Sequence, residues 1–169
     1  DTREVFDEEG FFHTGDIGKI DKDGFVSIVD RKKDIIVTSQ GKNIAPQRVE
    51  NLIKSKSHVI GYVVIIGDKR PYLTALIALD PIYARELAFP KGGGVHATMA
   101  ELSANATVYQ EVKSAINLAN VSLASFEQIK RFKISAREFE VGKELTPTLK
   151  VKRKYCAEEF KKEINILYA

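Results

Sequence analysis

Residues 30–46 read Asp-Arg-Lys-Lys-Asp-Ile-Ile-Val-Thr-Ser-Gln-Gly-Lys-Asn-Ile-Ala-Pro, and this stretch separates two unlike parts of the chain. It opens with five consecutive charged residues, Asp30–Asp34, which precede the strand-forming residues Ile35–Val37. Because a run of charges is costly to bury, we expect these charged residues to form an exposed junction. A Ser-Gln-Gly turn then leads to Pro46, a residue type that suits the first turn of a helix.

Upstream of the junction, the sequence predicts a β-hairpin. Ile17–Ile20 and Phe25–Val29 are strand-forming, and the turn Asp21–Gly24 between them ends in the Asp-Gly pair that favours a left-handed turn. We expect this hairpin to complete a different domain that lies further upstream. The chain begins at Asp1 and has its only methionine at Met99, so we expect it to be a piece of a longer protein.

Downstream of the junction, strand and helix patterns alternate. The apolar runs Val59–Gly67 and Tyr72–Leu79 are joined by a linker too short for a parallel crossover, so they predict a second hairpin. Two helices are predicted in this part, one from Pro46 to about residue 56 and a short one capped by Asp80. A longer helix follows, with an apolar stripe from Val108 to Leu123, and then a strand at Ile129–Ile134. One C-terminal helix is predicted last, with Phe160, Ile164, Leu167 and Tyr168 on one side. Pro90–Gly94 is predicted to be a mobile loop. The predicted fold class is α+β, with a small mixed or antiparallel sheet flanked by helices and preceded by the β-hairpin.

Composition limits the classes of protein to which the chain can belong. With 169 residues, 44% of them hydrophobic, it can form one medium-sized core. Its single cysteine, Cys156, excludes an internal disulfide and favours a reducing compartment. It has neither a signal-peptide pattern nor an apolar run near the ~20 residues that a membrane helix requires. We therefore expect a cytoplasmic protein and leave contact with a membrane surface open.

Few residues indicate chemistry by their spacing alone. His13, His58 and His96 are scattered, no pair of His or Cys residues has metal-ligand spacing, and no glycine-rich phosphate loop is present. The basic tail between Lys143 and Lys162 could bind nucleic acid, anionic lipid or a phosphorylated small molecule, although a solvated helix face is the simpler interpretation. Asp16 in a tight turn and Lys150 in a basic loop are the remaining candidates, and from spacing alone a structural role is favoured for each.

Three motifs in order resemble those of the adenylate-forming superfamily, which contains acyl-CoA synthetases, peptide-synthetase adenylation domains and luciferases. They are Thr14-Gly15-Asp16, Asp30-Arg31-Lys32-Lys33-Asp34 and Gly41-Lys42-Asn43-Ile44-Ala45-Pro46. With Leu145-Thr146-Pro147-Thr148-Leu149-Lys150-Val151-Lys152-Arg153, the second motif looks most like that of long-chain fatty-acid–CoA ligases. The resemblance covers essentially the whole chain. It implies that residues 1–30 end the large N-terminal adenylation domain, that residues 31–34 form a hinge and that residues 35–169 form a mobile C-terminal domain.

The resemblance also implies roles for individual residues. Asp16 matches the aspartate that accepts hydrogen bonds from both ribose hydroxyls of ATP, and Arg31 matches the arginine that contacts the nucleotide sugar. Lys150 matches the lysine that holds the substrate carboxylate and the α-phosphate. Lys33, or alternatively Asp34, matches the hinge about which such domains rotate between two catalytic poses.

In the second pose, the loop Gly41, Lys42 and Asn43 is implied to approach the pantetheine arm of CoA. The implied activity is that of an ATP-dependent long-chain fatty-acid–CoA ligase that works through acyl-AMP, with the isolated piece inactive. Its partners are then a long-chain fatty acid, ATP, CoA and its own missing N-terminal domain. Mg²⁺ ligands are implied upstream and none in this chain, and nucleic acid is not an expected partner. The alternatives are a fatty-acyl-AMP ligase that supplies a carrier protein and a non-catalytic basic binding module.

Overall fold

The structure, a computed structural model, describes residues 5–169, so the first four residues of the predicted 1–30 segment lie outside it. Its strands are β1 (Asp16–Ile20), β2 (Val26–Arg31), β3 (Ile36–Val37), β4 (Asn43–Ile44), β5 (Ile60–Ile66), β6 (Leu73–Leu79) and β7 (Ile129–Ile134). Its helices are α1 (Pro46–Lys54), α2 (Pro81–Ala88), α3 (Met99–Ala104), α4 (Ala106–Val121), α5 (Arg153–Glu159) and α6 (Lys161–Ile166). A 3-10 turn, Lys32–Asp34, follows β2.

The predicted upstream hairpin is confirmed. Strands β1 and β2 pair antiparallel, from Asp16 opposite Arg31 to Ile20 opposite Val26. The side chain of Asp21 closes the turn, because its Oδ1 accepts hydrogen bonds from two backbone N–H groups within it. Gly24 has φ +86°, the left-handed conformation that the Asp-Gly pair predicts.

The main sheet has the order β5-β6-β7, with β5 and β6 antiparallel and β6 and β7 parallel. This is the predicted mixed sheet, and β5 and β6 form the predicted second hairpin. Every residue of the central strand β6 is buried. Its side chains alternate between two clusters, so that Ile77 packs on one face of the sheet and Leu76 on the other.

Helices cover both faces of this sheet. Helices α1 and α4 bury Val49, Ile53 and the predicted apolar stripe of α4 on the first face. On the second face lie Leu145, Cys156, Phe160 and Ile164, from the C-terminal segment. The fold therefore fixes the segment around Lys150 to the face of the sheet opposite α4.

Two helix predictions need correction. The single C-terminal helix is two short helices, α5 and α6, which meet at Phe160, where the backbone leaves helical geometry (φ −97°, ψ 25°). The short helix α3 was not predicted. Its capping box joins Thr98 to Glu101, and it ends at Asn105, which is also the N-cap of α4. In both places a local backbone break interrupts a continuous apolar pattern.

The prediction that the charged junction is exposed is wrong for Asp30, which is 2% exposed. Its carboxylate accepts from the backbone N–H of Arg31 at 2.7 Å and from that of Gln47 at 2.9 Å. Helix α1 has Ala45 at its N-cap and no side-chain cap bond there, so Asp30 supplies the missing acceptor from the other side of the junction. The turn Lys32–Asp34 contains no buried residue, as predicted.

Candidate functional site

Lys150 lies at the end of a tight turn, Thr146–Lys150. The backbone N–H of Thr146 donates to the carbonyl of Lys150 at 2.8 Å, and the N–H of Lys150 donates to Thr146 Oγ1 at 3.0 Å. Leu149 has φ +59°, a left-handed conformation that glycine adopts without strain and leucine rarely adopts. The turn that carries Lys150 therefore holds a leucine in a conformation that glycine favours.

Arg153 anchors the segment that leaves this turn. Its guanidinium forms a two-pronged ion pair with Glu50, with Nη2 at 3.0 Å from Oε2, and Nη1 also donates to the carbonyl of Ile65 at 3.0 Å. Burial alone would lower the pKa of Arg153, but the hydrogen bond and charge of Glu50, together with the charges of Asp34 and Asp30, raise it. Arg153 therefore stays charged and ties the Lys150 turn to α1 and β5.

An open cleft of about 550 Å³ lies between this turn, α1 and the hinge turn. Its lining includes Lys54, Lys150, Lys152 and Lys154, together with Asp34, one of the two predicted hinge residues. Several ammonium groups around one concave surface favour a bound anion, either a carboxylate or a phosphate. The structure thus brings Lys150 and one of the two predicted hinge residues to the same cleft.

Asp16 and Arg31, the predicted nucleotide contacts, form an ion pair, with 3.1 Å between Asp16 Oδ1 and Arg31 Nε. The Asp16 side chain is 24% exposed and that of Arg31 62%, so both can be reached from solvent. The N–H of Lys32 donates to the carbonyl of Gly15 at 2.8 Å, which ties the hinge turn to the loop that presents Asp16. Neither Asp16 nor Arg31 lines the basic cleft.

The predicted CoA-proximal residues Gly41, Lys42 and Asn43 form a second turn outside the cleft. Gly41 has φ +73° and no atom within 4 Å of the position that a Cβ would occupy, so its backbone is open to approach. The N–H groups of Gly41 and Lys42 both donate to Thr38, and Lys42 Nζ lies 5.6 Å from the ring centroid of Phe126. The structure therefore presents the Gly41 turn and Lys150 at different surfaces.

Lys33 and Asp34, the two predicted hinge residues, both lie in the 3-10 turn Lys32–Asp34. The hydrogen bond from Gln47 to Asp30 spans this turn from one side to the other. No observation selects one of the two residues as the hinge, and their role stays a prediction.

Sequence reasoning missed several carboxylates that shape the site, namely Asp30, Glu50 and Glu144. For Glu50 a signal was available, because it lies one residue after Val49 and three before Ile53, on the face of α1 that predicts the core. A charged residue at such a position indicates a buried ion pair. For Glu144, in an irregular loop, no periodic pattern existed.

In the part of the chain that the structure describes, residues 5–169, no three or more His, Cys, Asp or Glu side chains are arranged to hold a metal ion. None of the helices in that part combines the length and the apolar character needed to cross a membrane.

Comparison with known proteins gives a consistent family. The profile described as the AMP-binding enzyme C-terminal domain matches residues 33–169. Long-chain-fatty-acid–CoA ligase FadD15 of Mycobacterium tuberculosis is 38% identical over 168 residues, which are 99% of this chain and 28% of that ligase. This chain thus spans little more than a quarter of that relative's length.

Solved structures share the fold. The A domain of carboxylic acid reductase from Segniliparus rugosus, in complex with AMP and a co-purified carboxylic acid, superposes with a TM-score of 0.74 at 23% identity, over 99% of this chain and 24% of that one. A fatty acyl CoA synthetase of Mycobacterium tuberculosis superposes with a TM-score of 0.53 at 22% identity, over 96% of this chain and 26% of the synthetase. The predicted α+β fold is confirmed.

Proposed function

The chain belongs to the family of AMP-binding enzyme C-terminal domains, and from this premise we propose that it is the C-terminal part of a long-chain fatty-acid–CoA ligase. The whole enzyme would act in two steps. First, a carboxylate oxygen of the fatty acid attacks the α-phosphate of ATP, which gives acyl-AMP and pyrophosphate. Then the thiol of CoA attacks the acyl carbonyl, which gives acyl-CoA and releases AMP.

The position of Lys150 carries this proposal. It lies at the end of a turn that Arg153 anchors, beside a cleft lined by further lysines. An ammonium group about 4 Å from an anion contributes roughly 4 kcal/mol per charge at an effective dielectric constant near 20. In the first step, Lys150 would hold the fatty-acid carboxylate beside the α-phosphate and offset their mutual repulsion.

The ion pair of Asp16 and Arg31 supports a nucleotide site at the other side of the hinge. Arg31 engages Oδ1 of Asp16, and the carboxylate keeps further acceptor sites on its two oxygens for both ribose hydroxyls. Arg31 would contact the sugar with the remaining N–H groups of its guanidinium. ATP would therefore bind between the part before the hinge and the part after it.

The separate positions of Lys150 and the Gly41 turn support a rotation between the two steps. Lys150 lines the cleft, whereas the Gly41 turn does not. Rotation about Lys33 or Asp34 would withdraw Lys150 after adenylation and bring the Gly41 turn to the acyl-AMP. There the open backbone at Gly41 would let the pantetheine arm of CoA come close.

The exposed apolar surface of the upstream hairpin supports a domain boundary at residues 31–34. Ile20, Phe25, Val26 and Ile28 are each between 67% and 70% exposed, an unusually apolar surface for two short strands. We place this surface against the larger upstream part of the same polypeptide, which the relatives possess. On this proposal, residues 1–30 end that domain, residues 31–34 are the hinge, residues 35–169 are the mobile domain, and the chain alone is inactive.

Mg²⁺ would be bound through the upstream part and the phosphates of ATP, as the family resemblance implies. CoA is the proposed thiol acceptor because the relative is named a CoA ligase. Comparing product formation with CoA and with a phosphopantetheinylated carrier protein distinguishes this proposal from a fatty-acyl-AMP ligase.

The test uses the full-length enzyme with the substitution Lys150→Ala. Formation of acyl-AMP from palmitate and ATP, measured as pyrophosphate release, should fall by about 10²-fold or more. Conversion of supplied palmitoyl-AMP to palmitoyl-CoA should persist. Lys143→Ala is the matched control, since Lys143 lies in the same segment but forms an exposed ion pair with Glu140. Equal loss of both steps, or loss of neither, would overturn the role proposed for Lys150.

A further inference from the structure

Glu144 is a carboxylate without solvent exposure, and both of its oxygens are occupied. Arg137 Nη2 donates to Oε1 at 2.7 Å, and the backbone N–H of Glu140 donates to Oε2 at 3.0 Å. Arg137 is itself held by Glu159 at 3.2 Å and by the ring of Phe160, whose centroid is 4.9 Å from its guanidinium carbon. The desolvation free energy of a buried carboxylate is offset only where its partners are held in good geometry.

The ionised form of Glu144 is the stable one. Burial alone would raise the pKa of Glu144, but the hydrogen bonds from Arg137 and from the backbone, with the charge of Arg137, lower it instead. The same contacts raise the pKa of Arg137 against the effect of its own partial burial. Both shifts favour the charged forms of the pair.

The backbone next to this pair forms the base of the turn that carries Lys150. The N–H of Lys152 donates to the carbonyl of Glu144 at 2.7 Å, and Leu145 forms a β-bridge with Val151. Lys152 Nζ also donates to the carbonyl of Gly142 at 2.8 Å. The turn is thus a small hairpin whose entering strand begins at Glu144.

Each strand of this hairpin has its own ion pair. Glu144 and Arg137 hold the entering strand, and Arg153 with Glu50 holds the leaving strand. Between them, the left-handed Leu149 stores strain that a loosely held loop would relax by moving. If the contacts of the Glu144 side chain are lost and the base of the turn moves, Lys150 therefore moves with it.

We propose that Glu144 is a positioning residue for Lys150, because its buried carboxylate and Arg137 fix the base of the turn that presents the lysine. This inference rests on the role of Lys150 in the proposed function. Glu144 itself contacts no substrate. It acts on the first step alone, since the Gly41 turn is built from different segments.

The experiment measures both steps in the full-length enzyme with Glu144→Gln. Glutamine keeps the shape of the Glu144 side chain. Its NH₂ group, however, would face a donor, because the neighbours of the two Glu144 oxygens are the Arg137 guanidinium and the N–H of Glu140. Palmitoyl-AMP formation should fall by about 10- to 100-fold in kcat, the cost of a misplaced catalytic group. Palmitoyl-CoA formation from supplied palmitoyl-AMP should stay within about twofold of wild type. Glu144→Asp, which keeps the charge, should recover part of the lost first step.

The ratio of the two steps separates positioning from a general loss of folding. A merely structural role would lower both steps in the same proportion, and that result, or wild-type palmitoyl-AMP formation, would overturn the inference. Glu127→Gln is the matched control, because Glu127 pairs with Arg48 at a different place and should leave palmitoyl-AMP formation unchanged. If Glu144→Gln does not fold, Arg137→Lys disturbs the same pair from its exposed side and is judged by the same ratio.

Lys150→Ala is measured in the same assays. If it leaves palmitoyl-AMP formation intact, the proposed function and this inference both fail. If it abolishes the first step while Glu144→Gln does not affect it, only the role of Glu144 fails.

Discussion

Asp16 and Arg31 occupy directly opposed positions on β1 and β2, and their side chains meet at 3.1 Å. They are 15 residues apart in the sequence, yet the hairpin register makes them one preformed unit. An exposed ion pair of this kind contributes little to stability, about 0–1 kcal/mol. The exposed carboxylate and guanidinium, held side by side, are what the proposed nucleotide role requires.

The first prediction concerns this pair in the full-length enzyme. Asp16→Ala removes an ionised acceptor of two hydroxyl groups, each bond being worth about 1.5–3 kcal/mol, so kcat/KM for ATP should fall by about 10²-fold or more. Arg31→Ala should cost about tenfold, for the loss of a single charge-assisted contact. Lys19→Ala, an exposed lysine on the same strand, should leave kcat/KM for ATP unchanged. A change within twofold for Asp16→Ala would contradict the nucleotide role.

The second prediction concerns backbone strain at Leu149. Leu149→Gly should leave the free energy of unfolding unchanged or raise it by up to about 1 kcal/mol, because relief of the left-handed strain opposes the extra freedom of glycine in the unfolded chain. Leu118→Gly is the matched control, since Leu118 is 56% exposed against 55% for Leu149 but lies inside α4. Leu118→Gly should lower the free energy of unfolding by about 1 kcal/mol. Urea unfolding of the three chains decides, and an equal loss at both positions would refute the strain.

Elements that are determined by residues close together in the chain could be predicted from the sequence. The turn Asp21–Gly24 and the hairpin of β5 and β6 are determined by residues that lie next to each other in the chain. The motifs also singled out Asp16, Arg31 and Lys150, of which the structure joins the first two in an ion pair and places the third at the cleft. Their chemical roles stay predictions.

Long-range polar contacts could not be predicted. One partner of Asp30 is a backbone N–H 17 residues away, and one partner of Glu50 is 103 residues away. A local sequence pattern carries no information about partners so far away in the chain, so the sequence predicts that the whole junction is exposed. Leu149 was hidden for a different reason, because leucine itself gives no sign of a positive φ and only its neighbours' hydrogen bonds impose it.

The third prediction uses the hydrogen bond that spans the hinge, between the carboxylate of Asp30 and the N–H of Gln47. Asp30→Ala should weaken the present arrangement of the two parts by about 1–3 kcal/mol and expose the segment after Arg31. Trypsin cleavage at residues 31–33 of the full-length enzyme, followed by mass spectrometry, should then be about tenfold faster. Asp80→Ala is the control, since Asp80 caps α2 within one domain. Equal rates for both variants would show that Asp30 does not restrain the hinge.

The fourth prediction concerns Cys156, which is fully buried. Burial, with the nearby charge of Glu144, raises the pKa of its thiol from 9.0 to about 11. At pH 8 the thiolate fraction in the folded chain is then on the order of 10⁻³, against about a tenth in the unfolded chain, where the pKa is near 9.0. Iodoacetamide should therefore modify Cys156 only through unfolding, and the rate should rise in proportion to the unfolded fraction as urea is added.

The same shift in pKa gives a pH dependence with a definite sign. Below pH 9 the thiol is mainly protonated in both states, so the shift has no effect on stability. Between pH 9 and 11 only the unfolded state releases the proton, so the free energy of unfolding should fall, by at most about 1.4 kcal/mol per pH unit from this group. Cys156→Ala lacks the titrating group and should lose less stability over this interval, although its absolute stability is lower because of the cavity. If both chains show the same slope between pH 9 and 11, the thiol ionises equally in the folded and unfolded states.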